Sequence, residues 1–250
     1  MPVARPAGMS APRPLPRARK RWFHTGVAVV AIGLSVGAFA PSIVTPGERR
    51  GPLTPLVVGH AAFMAAWLAL FFAQARLVAH GRVTAHKRIG FIAIPVWAGI
   101  VGTGLAATIE MARRGFDLSG DLSRPPASAL DQTVFQLGAL VLFTGFVALA
   151  LLLRRRPETH KRLMTLATLQ VLMTAPLAHL VGHFGLPGIV LPAWGVAVAV
   201  SLMAHDWHSR GRIHPASLFG GVGLVVVNNL QFAVIGPSRT WQQLMTWLTS

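Results

Sequence analysis

The chain has 250 residues, 53% of them hydrophobic and 12% charged, which is too apolar for an ordinary soluble domain and too long for a single membrane span. Its formal net charge of +16 sits in short segments between apolar runs, the pattern of topology signals and lipid phosphate contacts rather than of nucleic-acid binding. The absence of cysteine excludes disulfides, thiolate metal sites and cysteine nucleophiles, and the seven acidic residues all fall near expected helix ends, so no carboxylate pair is expected inside the membrane for acid/base chemistry or a proton relay.

Taken in order, residues 1–22 form a tail rich in proline and arginine with too few large apolar side chains to bury a core, and disorder is expected there. The next stretch looks like a signal-peptide core ending in Ala38-Phe39-Ala40, but Pro41 follows the would-be cleavage site and blocks processing. An uncleaved first span from Phe23 to Val44 is therefore expected. Six further apolar runs have the length needed to cross a bilayer, near Leu56 to Leu77, Ile89 to Glu110, Gln132 to Leu153, Leu163 to Val181, Gly188 to His205 and Ala216 to Ile235. The expected fold is thus all-α, a polytopic membrane helix bundle of seven transmembrane helices over residues 23–236. Pro95 and Pro176 should kink the third and fifth spans, because each removes a backbone donor. In residues 237–250, Trp241, Leu244, Met245 and Leu248 share one helical face, as in an amphipathic segment lying on the membrane interface.

Loop charge fixes an orientation. The tail and the turns after the second, fourth and sixth spans are basic, while the alternate loops carry little net charge. By the positive-inside rule the amino terminus is cytoplasmic and the carboxyl terminus periplasmic, in a bacterial inner membrane whose lipid is the first partner.

One basic turn is repeated. Leu77 to Gly90 aligns with Leu151 to Met164 at a constant offset, so that Arg82, His86, Lys87 and Arg88 correspond to Arg156, His160, Lys161 and Arg162. Histidine is the one abundant residue type able to carry chemistry. At the helical rise, His60 and His80 lie about 30 Å apart along one helix and His160 and His179 about 28 Å apart along another. Folding the spans back gives an inner layer of His80, His86, His160, His205 and His208 and an outer layer of His60, His179 and His183. Two layers of imidazole are what a transmembrane b-type cytochrome needs. His60 and His179 are the expected outer ligands of a haem iron, His86 and His160 the inner pair, and His183 a further cofactor-binding candidate. The plainer reading is that inner histidines bond headgroup phosphates or cap helix ends. Glu110, Gln136, Asn228, Asn229 and Gln231 fall in the outer half and Gln74 nearer the inner side, as interhelical hydrogen-bonding glue or the lining of a polar cavity. No phosphate loop, zinc-protease helix or nucleophile elbow is present, and nothing marks an enzyme in its own right.

The run His160-Lys-Arg-Leu-Met164, with its preceding basic turn and following His-bearing helix, resembles a family of small bacterial membrane proteins associated with cytochrome oxidase assembly. The turn from Gly81 to Gly90 is similar to one that recurs in a wider group of multi-pass proteins. The resemblance covers about half the chain, chiefly the second to fifth spans. It implies a helical bundle with His60, His86, His160 and His179 as the matched histidines, a haem-related role and a respiratory-chain or assembly partner. Seven spans and a long basic tail depart from that pattern. Membrane ferric-reductase cytochromes are similar in position only, carrying histidines at both helix ends. Against haem binding with electron transfer stand a cofactor-free scaffold or assembly factor and a small-solute carrier.

Overall fold

Apolar runs of this length leave backbone amides no water to bond, so the chain satisfies them within itself as helices. The computed structural model describes residues 17–45, 53–114, 129–172 and 175–250, and among these no strand occurs. In chain order the helices are α1 (Arg17–Val44), α2 (Pro55–Ala79), α3 (Val83–Gly90), α4 (Ala93–Arg114), α5 (Ala129–Leu152), α6 (Pro157–Val171), α7 (Ala175–His183), α8 (Val190–Arg210), α9 (Pro215–Leu230) and α10 (Arg239–Thr249), with a π turn at Gln231–Ile235. Six helical spans are long and apolar enough to cross a membrane, and α6 with α7 makes a seventh if the pair, bent by 40°, is taken as one span. The expected polytopic bundle is therefore observed.

Two boundaries differ from expectation. α1 is already helical from Arg17, although residues 17–22 read as tail; residues 1–16, the rest of that tail, lie outside the described part. α8 continues through Asp206 to Arg210, because its last turn is held by a buried ion pair rather than released into a loop. The two prolines act one turn ahead of themselves. A proline ring displaces the carbonyl four residues earlier, and upstream of Pro176 the Leu172 carbonyl accepts from Leu177 N–H instead (3.0 Å), at the break between α6 and α7. Upstream of Pro95, the break falls at Phe91 and Ile92, between α3 and α4.

α6 is the central element. Every residue from Arg162 to Leu172 except Met164 is buried, including Thr165, Thr168 and Gln170. Large apolar side chains elsewhere point outward, Phe219 at 74% and Phe91 at 73% exposure, which is the surface a bilayer covers. The core around α6 joins Trp67, Phe143, Leu166, Leu202 and Leu224. Trp67 meets Phe143 edge-to-face at 4.9 Å and donates to the Thr168 hydroxyl (3.2 Å), so its indole N–H is satisfied within apolar packing. Two glycines permit close helix approach: a Cβ on Gly99 would enter the Phe63 ring between α4 and α2, and one on Gly221 would stand 2.9 Å from the Ala199 Cβ between α9 and α8. At the other end of the chain, α10 buries Met245 of its apolar face and packs against α4 and α5.

Candidate functional site

Ring contacts gather the basic turns at one end of the bundle. Trp22 of α1 meets His80, which follows α2, edge-to-face at 5.3 Å, and the Arg76 guanidinium lies 4.7 Å over the same indole. His86 of α3 meets His160 of α6, and Phe23 of α1 stacks on His205 of α8 at 3.8 Å. This basic end carries the candidate site.

The two copies of the repeat fold alike and touch. In each, the arginine before the helix gives its carbonyl to the histidine N–H four residues on: Arg82 to His86 at 3.1 Å, Arg156 to His160 at 2.9 Å. The equivalent imidazoles then face one another at a centroid separation of 6.3 Å and an interplanar angle of 79°. His160 Nδ1 is 2.8 Å from the Ala150 carbonyl, which can only accept, so Nδ1 carries a proton and in the neutral ring Nε2 keeps its lone pair. His86 is held differently. Gln74 of α2, in the amide orientation that pairs both its ends, accepts from Gly90 N–H (3.0 Å) and donates to the His86 carbonyl (3.2 Å) and to His86 Nδ1.

Beside this pair lies a charge network that sequence reasoning missed. Arg162 is 1% exposed and Asp206 fully buried. Arg162 Nε donates to both Asp206 oxygens (2.9 and 3.1 Å) and Nη2 reinforces the pair, while Nη1 reaches the Glu158 carbonyl (2.6 Å) and carboxylate (2.8 Å). Glu158 also pairs with Lys161 (2.8 Å) and Arg210 (2.9 Å). Asp206 accepts from the His214 N–H (3.0 Å), which ties the start of α9 to α8 and α6. The His214 ring caps α9, accepting from Ala216 N–H at 3.1 Å. Burial, with the Arg162 and Arg210 guanidinium groups nearby, holds this imidazole below its usual range.

His24 was also missed. It stands at the start of the apolar part of α1, meets the His205 ring edge-to-face at 6.0 Å, and bonds Thr165 of α6 at 2.9 Å. The Thr165 hydroxyl already donates to the Lys161 carbonyl (2.8 Å), so it accepts from His24 Nδ1, leaving His24 Nε2 a buried bare acceptor. The layer counting applied to the other histidines was the signal that could have found it, since α1 starts at the end where α8 finishes.

The remaining expected site residues are placed as follows. His60 Nδ1 bonds the Thr103 hydroxyl of α4 at 2.9 Å, and Thr103 donates to the Gly99 carbonyl, so His60 is the donor. His179, 9% exposed, packs against Phe39 of α1 with ring centres 4.9 Å apart. The structure thus joins the inner pair and holds the two outer histidines against different helices. His183 ends α7, exposed, against the Phe184 ring. His80 and His208 bond carbonyls of their own helices, at Arg76 and Ala204. In the outer half, Asn228 of α9 and Gln170 of α6 exchange amide hydrogen bonds (3.1 and 3.3 Å), the interhelical glue expected of such residues. Asn229 bonds its own helix at Val225. The Gln136 and Gln231 side-chain oxygens are buried and have no hydrogen-bond partner among the described residues.

Comparison of the chain with family models, curated proteins and solved structures gave no match.

Proposed function

We propose that this membrane protein binds a b-type haem at its basic end between His86 and His160, in a bacterial inner membrane with that end cytoplasmic, and passes electrons or handles haem for a respiratory-chain or assembly partner. The single observation that carries the reading is the meeting of these two histidines, equivalent in the repeat, ring to ring at 6.3 Å. A haem iron would be held by these two imidazoles, which requires that they meet from separate helices, as α3 and α6 bring them. His160 meets the second requirement of such a ligand, an outer nitrogen anchored on a carbonyl so that Nε2 keeps its lone pair. His86 would meet it only with the Gln74 amide reversed, at the cost of its bonds to the Gly90 N–H and the His86 carbonyl. A bound haem would supply a one-electron couple, and the contacts of the two histidines with Ala150 and Gln74 would fix the ring directions.

The test is the absorption spectrum of the detergent-purified protein. A Soret band and a pyridine haemochrome are expected, both lost in His86→Ala and in His160→Ala and kept in His80→Ala and His208→Ala. A purified protein that shows neither signal after expression with added haem would overturn the reading.

A second reading, the cofactor-free scaffold or assembly factor, is favoured by the Gln74 amide orientation that pairs both its ends. It gives His86 Nδ1 a donor in Gln74 and so puts the His86 proton on Nε2, a neutral ring satisfied without metal beside His160. On that reading His86→Gln keeps the fold and alters no spectrum.

A further inference from the structure

We infer that the basic end carries a binding site for a phosphate group, in a cavity of about 310 Å³ lined by Glu158, Lys161, His205, Ser209 and Arg210. This inference rests on the cavity and its charges and is independent of the haem reading.

The charges around the cavity do not balance. Lys161, Arg162 and Arg210 surround Glu158, and Asp206 is the second carboxylate, so three cations stand against two anions. Arg162 is spent: its guanidinium is shared between Asp206 and Glu158 and is shut from the cavity by burial. The excess therefore falls on Lys161 and Arg210. Their side chains are 35% and 26% exposed, and among the described residues each shows one carboxylate contact from a group with several N–H donors. The His205 ring adds a further polar edge, while the Ser209 hydroxyl donates to the Asp206 carbonyl (3.5 Å) and serves as wall only. Phe23, stacked on His205, holds that ring in place.

A phosphate is the ligand these groups fit: it accepts from an ammonium and a fork of guanidinium N–H groups at once. Basic pockets between membrane helices at the headgroup level take anionic phospholipids in this way. An organic carboxylate would use fewer of the donors.

The experiment measures binding by the full chain in detergent, through the thermal shift and by native mass spectrometry. The two probes are phosphatidylglycerol and inorganic phosphate, with phosphatidylcholine as reference. Lys161→Gln with Arg210→Gln should weaken the retained probe about tenfold, whereas Arg154→Gln with Arg155→Gln, which removes as much charge from the exposed turn nearby, should leave it within about twofold. Glu158→Gln should act oppositely, tightening binding, so the inference stays testable if the double variant fails to fold. Retention of phosphatidylglycerol alone identifies a lipid headgroup, and retention of inorganic phosphate identifies a soluble ligand; either supports the site. Equal losses in the two double variants, or neither probe exceeding phosphatidylcholine, would overturn it.

Discussion

The two copies of the basic turn share their arginine, histidine, lysine and arginine at the same spacing in two surroundings. In the first, Arg82 to Gly90, Lys87 and Arg88 are exposed and among the described residues Arg88 has no ion pair. In the second, Arg156 to Met164, the arginine equivalent to Arg88 is Arg162, buried and locked to Asp206 and Glu158. The local code gives both copies the same arginine-to-histidine backbone bond and the same short entry into a helix. What differs is the supply of carboxylates: Glu158 stands where the first copy has Thr84, and Asp206 arrives from α8, 44 positions away in sequence. A charge enters a membrane bundle only with its partner, so a long-range acid decides which copy is core and which is surface.

Removing that acid should have the largest effect. Asp206→Ala leaves the Arg162 guanidinium buried against Glu158 alone and should cost about 3–5 kcal/mol, against about 0.5 kcal/mol or less for Arg88→Ala. Denaturant or thermal unfolding in detergent measures both. Similar losses at the two positions would erase the distinction between the copies. Arg162→Met with Asp206→Leu should recover most of the loss, since the penalty comes from the stranded charge and not from the missing attraction.

A smaller effect concerns the far end of the same network. The neutral His214 ring accepts from Ala216 N–H, and a protonated ring has no acceptor to offer. Because its folded-state pKa lies below the usual 6.5, the unfolded chain binds the proton first. The contribution of this cap is therefore complete above the unfolded pKa and is lost as pH falls through 6.5 toward the lower folded value. His214→Ala should cost about 1 kcal/mol at pH 8 and less at pH 5, and His214→Asn should keep the cap at both. A loss that grows on acidification would mean the ring is held charged. The first copy has no such anchor, and its stability should not change over that range through this group.

Much of the architecture was legible because hydropathy, loop charge and proline placement are local properties: span positions, the breaks near Pro95 and Pro176, and the amphipathic final helix all follow from neighbours in sequence. The repeat was legible too, and with it the pair His86 and His160. The Arg162–Asp206 pair was not. An arginine in a basic turn reads as a topology signal, an aspartate at a helix end reads as a cap, and only the packing of α6 against α8 turns them into one buried unit. His60 and His179 share a depth, and depth is what residue counting measures. Azimuth around each helix is set by packing, and it turns His60 to Thr103 and His179 to Phe39.

The smallest effect tests the comparison from the other side, by giving the first copy the acid it lacks. Thr84→Glu places a carboxylate in the first turn of α3, three residues before Lys87 and four before Arg88, as Glu158 stands to Lys161 and Arg162. The helix dipole and these pairs together should stabilise by about 0.3–0.5 kcal/mol at low salt. The gain should vanish in about 0.5 M salt, because every partner is exposed to solvent. Local pairing of this kind gives Arg88 no reason to leave the surface, since the desolvation of a guanidinium outweighs one exposed carboxylate. A gain of several kcal/mol that survives salt would show instead that Glu158 suffices to draw the arginine inward, with Asp206 secondary.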